Sequence, residues 1–368
     1  MNMSWEAAKT LVENLDHRIG EREIGKAHFN DPNVRAFPLQ KDGFKTIREI
    51  TSNRRLAFVD GGNQEIVGAS NFSVQLNRAH VSAWDGKFRA ELNFPRIEFF
   101  SATFSSFRDD EIYYDTVLVP GNQNSAACLP DAEDLSFNSF DRSIMNGNQR
   151  ADIGRVASIA RRFAEWKVAT NVLEKLNPGD ILVMDGTLQT SFPNENNYIT
   201  DLVEAAKDGG AILCGLSKTS ALFTTTGLSL LGAINQLADE CKIAGGWYFP
   251  LAESTSAEHN VMIFVVKLHT ISDHVFRFEI ERNQFKSFQE NDLNEILSLL
   301  AINSSDATFP GYPYGLVEAD RFARVSMNEL EYYRGLILSH MSSRGKWDKF
   351  SQHIFAGDAH SILNALVG

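Results

Sequence analysis

The chain has 368 residues, 43% of them hydrophobic and 22% charged, which is typical of folded globular proteins and allows one large domain or two ordinary ones. It has neither a long uncharged apolar run nor the basic, apolar start of a secretory signal, which excludes a transmembrane helix and predicts a cytoplasmic protein without a membrane partner. A formal net charge of −12 argues against a general nucleic-acid-binding surface but allows local basic clusters.

The first part of the chain predicts helix followed by an antiparallel meander. Apolar residues recur at helical spacing over 3–18, and the stretch 42–50 also predicts helix. Runs rich in aromatic and β-branched residues then predict strands at 55–60, 65–84, 96–107 and 111–119. Residues 121–150 are rich in Asn, Ser, Asp and Gly and are expected to form a long loop.

The rest of the chain alternates helices and strands, a pattern that favours parallel strands. A long predicted helix at 152–176 ends at Asn-Pro-Gly. The predicted strands that follow are 181–185, 211–216, 261–269 and 275–281. The predicted helices are 197–208, 227–243, 291–302, 316–341 and 351–368.

The order of these elements predicts a fold class. A meander, then a helix, then strand–helix–strand is the order used by RNase H-like nucleases. We therefore expect an α/β fold, with a mixed sheet surrounded by helices and with helical terminal segments. We place the RNase H-like core at 51–330, between mainly helical segments at 1–50 and 331–368.

Two predicted strands end in Asp-Gly, at Asp60 and Asp185. A hard divalent cation binds several carboxylate oxygens at once, and adjacent strands lie only about 4.8 Å apart, so neighbouring strands would let both aspartates share one ion. The three cysteines lack CxxC spacing and the histidines form no HxH or HxxxH pair, which predicts free thiols in a reducing cytoplasm and an oxygen-ligated metal. The alternative is that Asp-Gly is a common turn pair.

A third candidate ligand, Glu165, lies on the predicted helix 152–176, on the same face as Arg155 and Arg162. It is either a metal carboxylate accompanied by arginines that contact phosphates, or one half of a surface ion pair. Lys218 follows a predicted strand at its carboxyl end, a usual position for ligand contacts in α/β sheets. The alternative for Lys218 is an ordinary exposed lysine.

Tyr312 and Asp320 are eight residues apart, across a proline turn that enters a helix. There they can position a scissile phosphate or a second metal, or else serve as a packed aromatic and a helix cap. Arginines cluster around the proposed site, which predicts a basic interior that binds DNA despite the negative net charge. The clustered arginines are Arg155, Arg161, Arg162, Arg321 and Arg324.

Together these motifs resemble the NurA family, the nucleases of the HerA–NurA DNA end-processing system. The resemblance spans about 55–325, most of the chain. The segments that carry it are AFVDGG at 57–62, RRFAEW at 161–166, ILVMDGTL at 181–188, LSKTS at 216–220 and YPYGLVEADRFARV at 312–325. No single segment is specific, but the ordered set is.

The resemblance implies a deoxyribonuclease that uses two Mn²⁺ or Mg²⁺ ions and acts on single-stranded DNA and on duplex 5′ ends. It also implies a homodimer that docks on a hexameric HerA-type ATPase, in DNA end resection, repair or phage defence. Asp60, Glu165 and Asp185 match the acidic metal ligands of the family, and Tyr312 matches its tyrosine. Asp320 stands where some members have histidine.

Three alternatives accompany this interpretation. Glu174 lies on the same predicted helix as Glu165 and is the other candidate for the helix ligand, although it is closer to the helix end. A phosphatase of the haloacid dehalogenase type ends a strand in Asp-x-Asp-Gly-Thr, but Val183 stands where its nucleophilic aspartate belongs. A catalytically weak NurA-like subunit that binds DNA or the ATPase would not need the three acids that are present.

Overall fold

A computed structural model describes residues 4–20 and 22–355 of the chain. The chain divides into two compact units, each assembled from separate stretches. Unit 1 comprises Met1–Asn53, Asp185–Leu188 and Cys214–Tyr314, and unit 2 comprises Arg54–Met184, Gln189–Leu213 and Gly315–Gly368. The two units interleave in sequence.

The helices and strands are numbered in chain order. The strands are β1 (Ala27–His28), β2 (Val34–Ala36), β3 (Lys45–Thr46), β4 (Leu56–Ala69), β5 (Phe72–Asp85), β6 (Phe88–Ala90), β7 (Ile97–Arg108), β8 (Glu111–Pro120), β9 (Ser136–Asn138), β10 (Ile181–Asp185), β11 (Ile212–Ser217), β12 (Phe223–Thr224), β13 (Trp247–Ser254), β14 (Val261–Lys267) and β15 (Phe276–Glu281). The α-helices are α1 (Trp5–Leu15), α2 (Gln123–Ala126), α3 (Ile153–Ala157), α4 (Ile159–Leu173), α5 (Glu195–Gly209), α6 (Leu230–Glu240), α7 (Arg282–Ser287), α8 (Asp292–Asn303), α9 (Tyr314–Ala323) and α10 (Met327–Ser343). Residues 347–355 are also helical.

The sheet of unit 2 is built on the expected antiparallel meander, in which β4 pairs with β5, β5 with β7 and β7 with β8. Strand β10 runs parallel to β4, with Met184 opposite Val59. The first residue of β11, Ile212, donates a backbone hydrogen bond of 2.8 Å to Asp180, which precedes β10. The resulting order β7-β5-β4-β10-β11 is the RNase H-like arrangement, so the predicted fold class is confirmed.

Helices cover both faces of the unit 2 sheet. Glu165 of α4 lies against Gly61 of β4, and Gly315 of α9 lies against the ring of Phe58 in the same strand. Because consecutive strand residues point to opposite faces, positions 58 and 61 belong to different faces, and so do the two helices. Helix α10 extends the second cover, where its apolar residues pack on β4 and β5.

Two helices predicted as continuous are each broken in the structure. The predicted helix 152–176 divides at Ser158, whose hydroxyl donates to the carbonyl of Arg155 at 2.6 Å and competes with the helical hydrogen bonds. The predicted helix 316–341 divides before Ser326, where Ser326 and Glu329 form a capping box that begins α10.

The sheet of unit 1 is antiparallel, with β11 paired to β15, β15 to β14, and β14 to β13. Strands β2 and β3 both pair with β13, a strand that the sequence pattern did not predict. The helix expected at 42–50 is wrong. The ring of Phe44 packs on Trp247 and Phe249, and this contact holds the following residues beside β13 as β3.

The remaining predictions agree with the structure in part. Helix α1 is present where 3–18 predicted it, and it is followed by a π-turn at Asp16–Gly20. The loop expected at 121–150 contains α2 and β9. The predicted tail helix 351–368 is observed up to residue 355, and its remainder lies outside the described residues. Across the part of the chain that the structure describes, no helix is long and apolar enough to cross a membrane.

Candidate active site

Asp60 lies in the interior of β4, and its expected position at a strand end is wrong. The ladder with β5 continues past it, with Gly61 opposite Ala79 and Gly62 opposite Arg78. The Asp-Gly pair therefore forms no turn here, because both glycines keep their extended, paired backbone. The side chain of Asp60 is 7% exposed, and its Oδ1 accepts a hydrogen bond of 2.7 Å from the N–H of Gly61.

The two glycines after Asp60 let neighbouring helices approach β4 closely. A Cβ added at Gly61 would overlap the carboxylate of Glu165. A Cβ added at Gly62 would lie 2.6 Å from the carbonyl oxygen of Ala323, at the end of α9. Gly61 thus contacts the carboxylates of both Asp60 and Glu165, although side chains at positions 60 and 61 of β4 point to opposite faces of the sheet.

The cation beside Glu165 is Arg161, one helical turn before it. The guanidinium of Arg161 donates to Oε1 of Glu165 and, at 3.2 Å, to the carbonyl of Gly61. Arg162, which we expected on the face of Glu165, instead forms an ion pair with the fully buried Glu195. Its guanidinium therefore serves the packing of α4 on α5.

The other predicted residues of unit 2 differ in exposure. Glu174 is exposed at the C-cap of α4, whereas Glu165 is 9% exposed. Asp320 is half-buried in α9. The remaining predicted arginines are exposed, and they are Arg155, Arg321 and Arg324.

Helix α9 covers the face of β4 that carries the side chain of Asp60. Gly315 lies against the ring of Phe58, and Ala323 lies against Gly62. Positions 58, 60 and 62 share one face of the strand because side chains alternate. The segment of α9 between Gly315 and Ala323, which contains Asp320, therefore passes over this face.

In unit 1, three predicted residues form one cluster. Asp185 is the last residue of β10, as expected, and its Oδ2 lies 2.7 Å from Nζ of Lys218. The hydroxyl of Tyr312 donates to Oδ1 of Asp185 at 3.3 Å. The ammonium group of Lys218 also lies 5.5 Å from the centre of the Tyr312 ring. That ring is 3% exposed and packs on Phe276 and Phe309, as the packing interpretation of Tyr312 expects, and its role toward a phosphate or a metal stays a prediction.

A buried carboxylate that was not among the predicted site residues supports the segment after Asp185. Glu279 accepts a hydrogen bond of 2.8 Å from the N–H of Leu188, and it is flanked by Arg277 and His259. The signal was present in the strand FRFEIE at 276–281, where charged residues alternate with apolar ones although the whole strand is buried. A buried charge in such a strand requires partners, and Glu279 has them in Arg277, His259 and Leu188.

The donor set suits a hard divalent cation, although the carboxylates are not grouped as a formed metal site. Among residues 4–20 and 22–355, no three His, Cys, Asp or Glu side chains lie together so that they could hold a metal ion. Glu165 and Asp185 each have a cationic side chain beside them, Arg161 and Lys218 respectively. Mn²⁺ and Mg²⁺ prefer oxygen ligands. The carboxylate oxygens of Glu165 and Asp185 fit either ion if the metal takes the place of the cationic side chain beside each of them.

Comparisons with known proteins identify the family. The sequence model of the NurA domain matches residues 54–325, well over half of the chain. Two solved structures of Argonaute from Aquifex aeolicus are similar at 10% identity, with TM-scores of 0.32 and 0.26. They cover 75% and 74% of this chain, which spans 29% and 28% of theirs. No protein with a curated description matches the chain.

Proposed function

The chain belongs to the NurA family, which gives it a nuclease-type function, and from this premise we propose that it is a divalent-metal-dependent deoxyribonuclease. One observation carries the proposal. Val59 and Met184 are paired on adjacent parallel strands, and the next residue of each strand is an aspartate, Asp60 and Asp185. Neighbouring strands lie about 4.8 Å apart and a hard divalent cation binds several carboxylate oxygens at once, so these two aspartates are the candidates for shared ligands.

We assign the metal ligands as Asp60, Glu165 and Asp185, and the metal as two ions of Mn²⁺ or Mg²⁺. When bound, the metal would supply an activated water and stabilise the leaving 3′ oxygen during phosphodiester hydrolysis. Arg161 and Lys218 pair with the carboxylates of Glu165 and Asp185. With a metal bound to those carboxylates, these two cations would be available to neutralise charge on the phosphate that reacts.

Substrate and partners follow the same proposal. The DNA is a single strand or a 5′ end, bound by the exposed Arg155, Arg321 and Arg324, with Tyr312 and Asp320 close to the phosphate. The protein acts in the cytoplasm as a homodimer with a hexameric HerA-type ATPase, in DNA end resection or phage defence. Support for a partner comes from α1, whose residues are all exposed although several are large and apolar. These are Trp5, Leu11, Val12 and Leu15.

The test is degradation of a labelled single strand by the purified protein in the presence of Mn²⁺. We expect the wild type to digest it, EDTA to stop digestion, and Asp185→Asn and Glu165→Gln to be inactive with unchanged circular dichroism. Glu174→Gln is the matched control, because it removes an exposed carboxylate from the same helix. Digestion that persists in EDTA, or full activity of Asp185→Asn, contradicts the proposal. Activity lost in Glu174→Gln and kept in Glu165→Gln reassigns the helix ligand.

The alternative is a catalytically weak subunit that binds DNA or the ATPase. The observation that favours it is the pairing of Glu165 with Arg161 and of Asp185 with Lys218. If these ion pairs persist in Mn²⁺, the carboxylates have no room for the metal. The same assay decides, since such a subunit binds the labelled strand without cutting it.

A further inference from the structure

Glu279 is a fully buried carboxylate in the middle of β15 that the proposed chemistry does not use. Its Oε1 lies 2.6 Å from the guanidinium of Arg277, and its Oε2 lies 3.0 Å from Nε2 of His259. Burial alone would raise the pKa of the Glu279 carboxyl. The charges of Arg277 and His259, with hydrogen bonds from His259 and Leu188, lower that pKa to about 2. Glu279 is therefore ionised at neutral pH.

The ionised carboxylate holds the segment that follows Asp185. Oε2 of Glu279 accepts the N–H of Leu188 at 2.8 Å, three residues after Asp185. One residue after Asp185, the N–H of Gly186 donates to the carbonyl of Leu216 at 2.9 Å. Two backbone donors thus fix the chain where it leaves β10.

Gly215 provides the space for this arrangement. It lies opposite Glu279 in the ladder between β11 and β15, and paired residues of adjacent strands share a face of the sheet. A Cβ added at Gly215 would lie 2.7 Å from the carbonyl oxygen of Gly186. The segment Gly186–Leu188 therefore lies directly on the backbone of Gly215, within reach of the Glu279 side chain. Gly186 itself has a φ of +111°, which only glycine adopts without strain.

We infer that Glu279 is a positioning residue for Asp185, which acts by fixing Gly186–Leu188, and that Arg277 and His259 hold Glu279 in place for this purpose. The inference rests on the proposed function only for the role given to Asp185. A metal carboxylate must be held to within about 0.5 Å of its productive geometry by the groups that support it. Lys218 and Tyr312 contact the side chain of Asp185, whereas Glu279 holds the backbone three residues after it.

The test compares Glu279→Gln with Glu281→Gln. Glu281 is also buried in β15, but it accepts from the N–H of Gln284 at 2.8 Å and caps α7. Each variant removes one buried carboxylate from the same strand, and only Glu279→Gln alters the support of Leu188. A glutamine at 279 has only one acceptor oxygen for the three donors Arg277, His259 and Leu188, because its amino group cannot accept a hydrogen bond. The hydrogen bond from Leu188 is therefore weakened.

The first measurement is amide hydrogen exchange, which does not require nuclease activity. We expect the Leu188 amide to exchange about 10- to 100-fold faster in Glu279→Gln, because the acceptor of its hydrogen bond loses its charge, and to keep the wild-type rate in Glu281→Gln. Equal exchange in the two variants overturns the inference. If Glu279→Gln does not fold, the same measurement is made on His259→Gln. This variant keeps the Glu279 carboxylate and removes the histidine beside it.

The second measurement is turnover at saturating DNA together with Mn²⁺ binding. We expect kcat to fall about 10- to 100-fold in Glu279→Gln with KM for DNA unchanged, and the Mn²⁺ concentration for half-maximal binding to rise. If Glu279 has only a structural role, both variants lose thermal stability, and kcat and Mn²⁺ binding stay at their wild-type values. That outcome also overturns the inference. A wild type that does not cut DNA refutes the proposed function, whereas the exchange result still decides whether Glu279 positions the segment.

Discussion

The hydroxyl of Tyr312 donates a hydrogen bond of 3.3 Å to Oδ1 of Asp185, while the ammonium group of Lys218 lies 2.7 Å from Oδ2 of the same carboxylate. Both oxygens of Asp185 are therefore engaged, one by a neutral donor and one by a cation. A metal bound at Asp185, as we propose, would leave the neutral donor in place, because the hydroxyl adds no positive charge. It would displace the cation, since a divalent ion and an ammonium group repel each other.

Tyr312→Phe removes only the hydroxyl and keeps the ring that packs on Phe276 and Phe309. We expect nuclease turnover to fall about tenfold or more and the free energy of unfolding to change by about 1 kcal/mol or less. The measurements are single-turnover kinetics and urea denaturation. Tyr114→Phe is the control, because it removes a hydroxyl that donates at 2.8 Å to Ala151, in the other unit. Full turnover in Tyr312→Phe would leave this tyrosine as packing alone.

Lys218→Met should strengthen Mn²⁺ binding and slow catalysis. The variant removes the cation that the metal must displace from Asp185, but it also removes a charge that neutralises the phosphate. The side chain of Lys218 is 41% exposed, so its loss should cost no more than about 1 kcal/mol of stability. Titration calorimetry with Mn²⁺ measures the effect. Lys167→Met is the control, since Lys167 also lies near an aspartate and over a tyrosine ring, Asp131 and Tyr198. Weaker Mn²⁺ binding in Lys218→Met would count against displacement.

Gly61→Ala should abolish metal-dependent cleavage without unfolding the protein. The new methyl group would overlap the carboxylate of Glu165, which is the end of a flexible side chain and can move away. We expect a stability loss of about 1–3 kcal/mol and a large loss of Mn²⁺ affinity. Gly68→Ala is the matched control in the same strand, because its methyl group would overlap the carboxylate of Glu65 instead. Equal Mn²⁺ affinity in both variants would contradict the role of Glu165.

Arg155→Ala and Arg162→Ala should fail in different ways. Arg155 is exposed, so its loss should weaken DNA binding and reduce the slope of log affinity against log salt by about 1. Arg162 serves the buried Glu195, which keeps a donor of 2.8 Å from Trp166 after the change. We expect Arg162→Ala to cost about 1–3 kcal/mol of stability and to leave the salt slope unchanged. Fluorescence anisotropy at several salt concentrations and thermal melts separate the two outcomes.

Acid should loosen the attachment of α10 to the sheet of unit 2. Hydrogen bonds from Arg78, with the N-cap contacts of Ser326, lower the pKa of Glu329 from its usual value to about 2. A carboxylate with a lowered folded-state pKa adds stability that is complete above its unfolded pKa, near 4.5, and disappears as the pH falls toward 2. Urea denaturation across this range should therefore show a loss of stability that is smaller in Glu329→Gln. The exposed neighbour Glu331 provides the control variant Glu331→Gln, which should follow the wild type.

Local pattern was sufficient for much of the fold. Aromatic and β-branched runs predicted the meander of unit 2, and the order of strands and helices predicted the RNase H-like arrangement, since both depend on periodicity along the chain. The strand end predicted at Asp185 agrees with the structure, where the glycine after it takes a φ that ends the strand. The break before α10 was missed, although Ser326 and Glu329 have the spacing of a capping box.

Contacts between distant residues were decided only by the tertiary structure. The pair Asp-Gly at 60–61 looks the same in sequence as the pair at 185–186, yet β4 continues through it because β5 supplies a partner for every following residue. Helical spacing could not show that Arg161, rather than Arg162, faces Glu165, because that depends on the rotation of α4 over Gly61. The support of Leu188 by Glu279 joins residues that are 91 positions apart. Sequence periodicity specifies which face of an element is apolar, whereas partner identity depends on how those faces pack against each other.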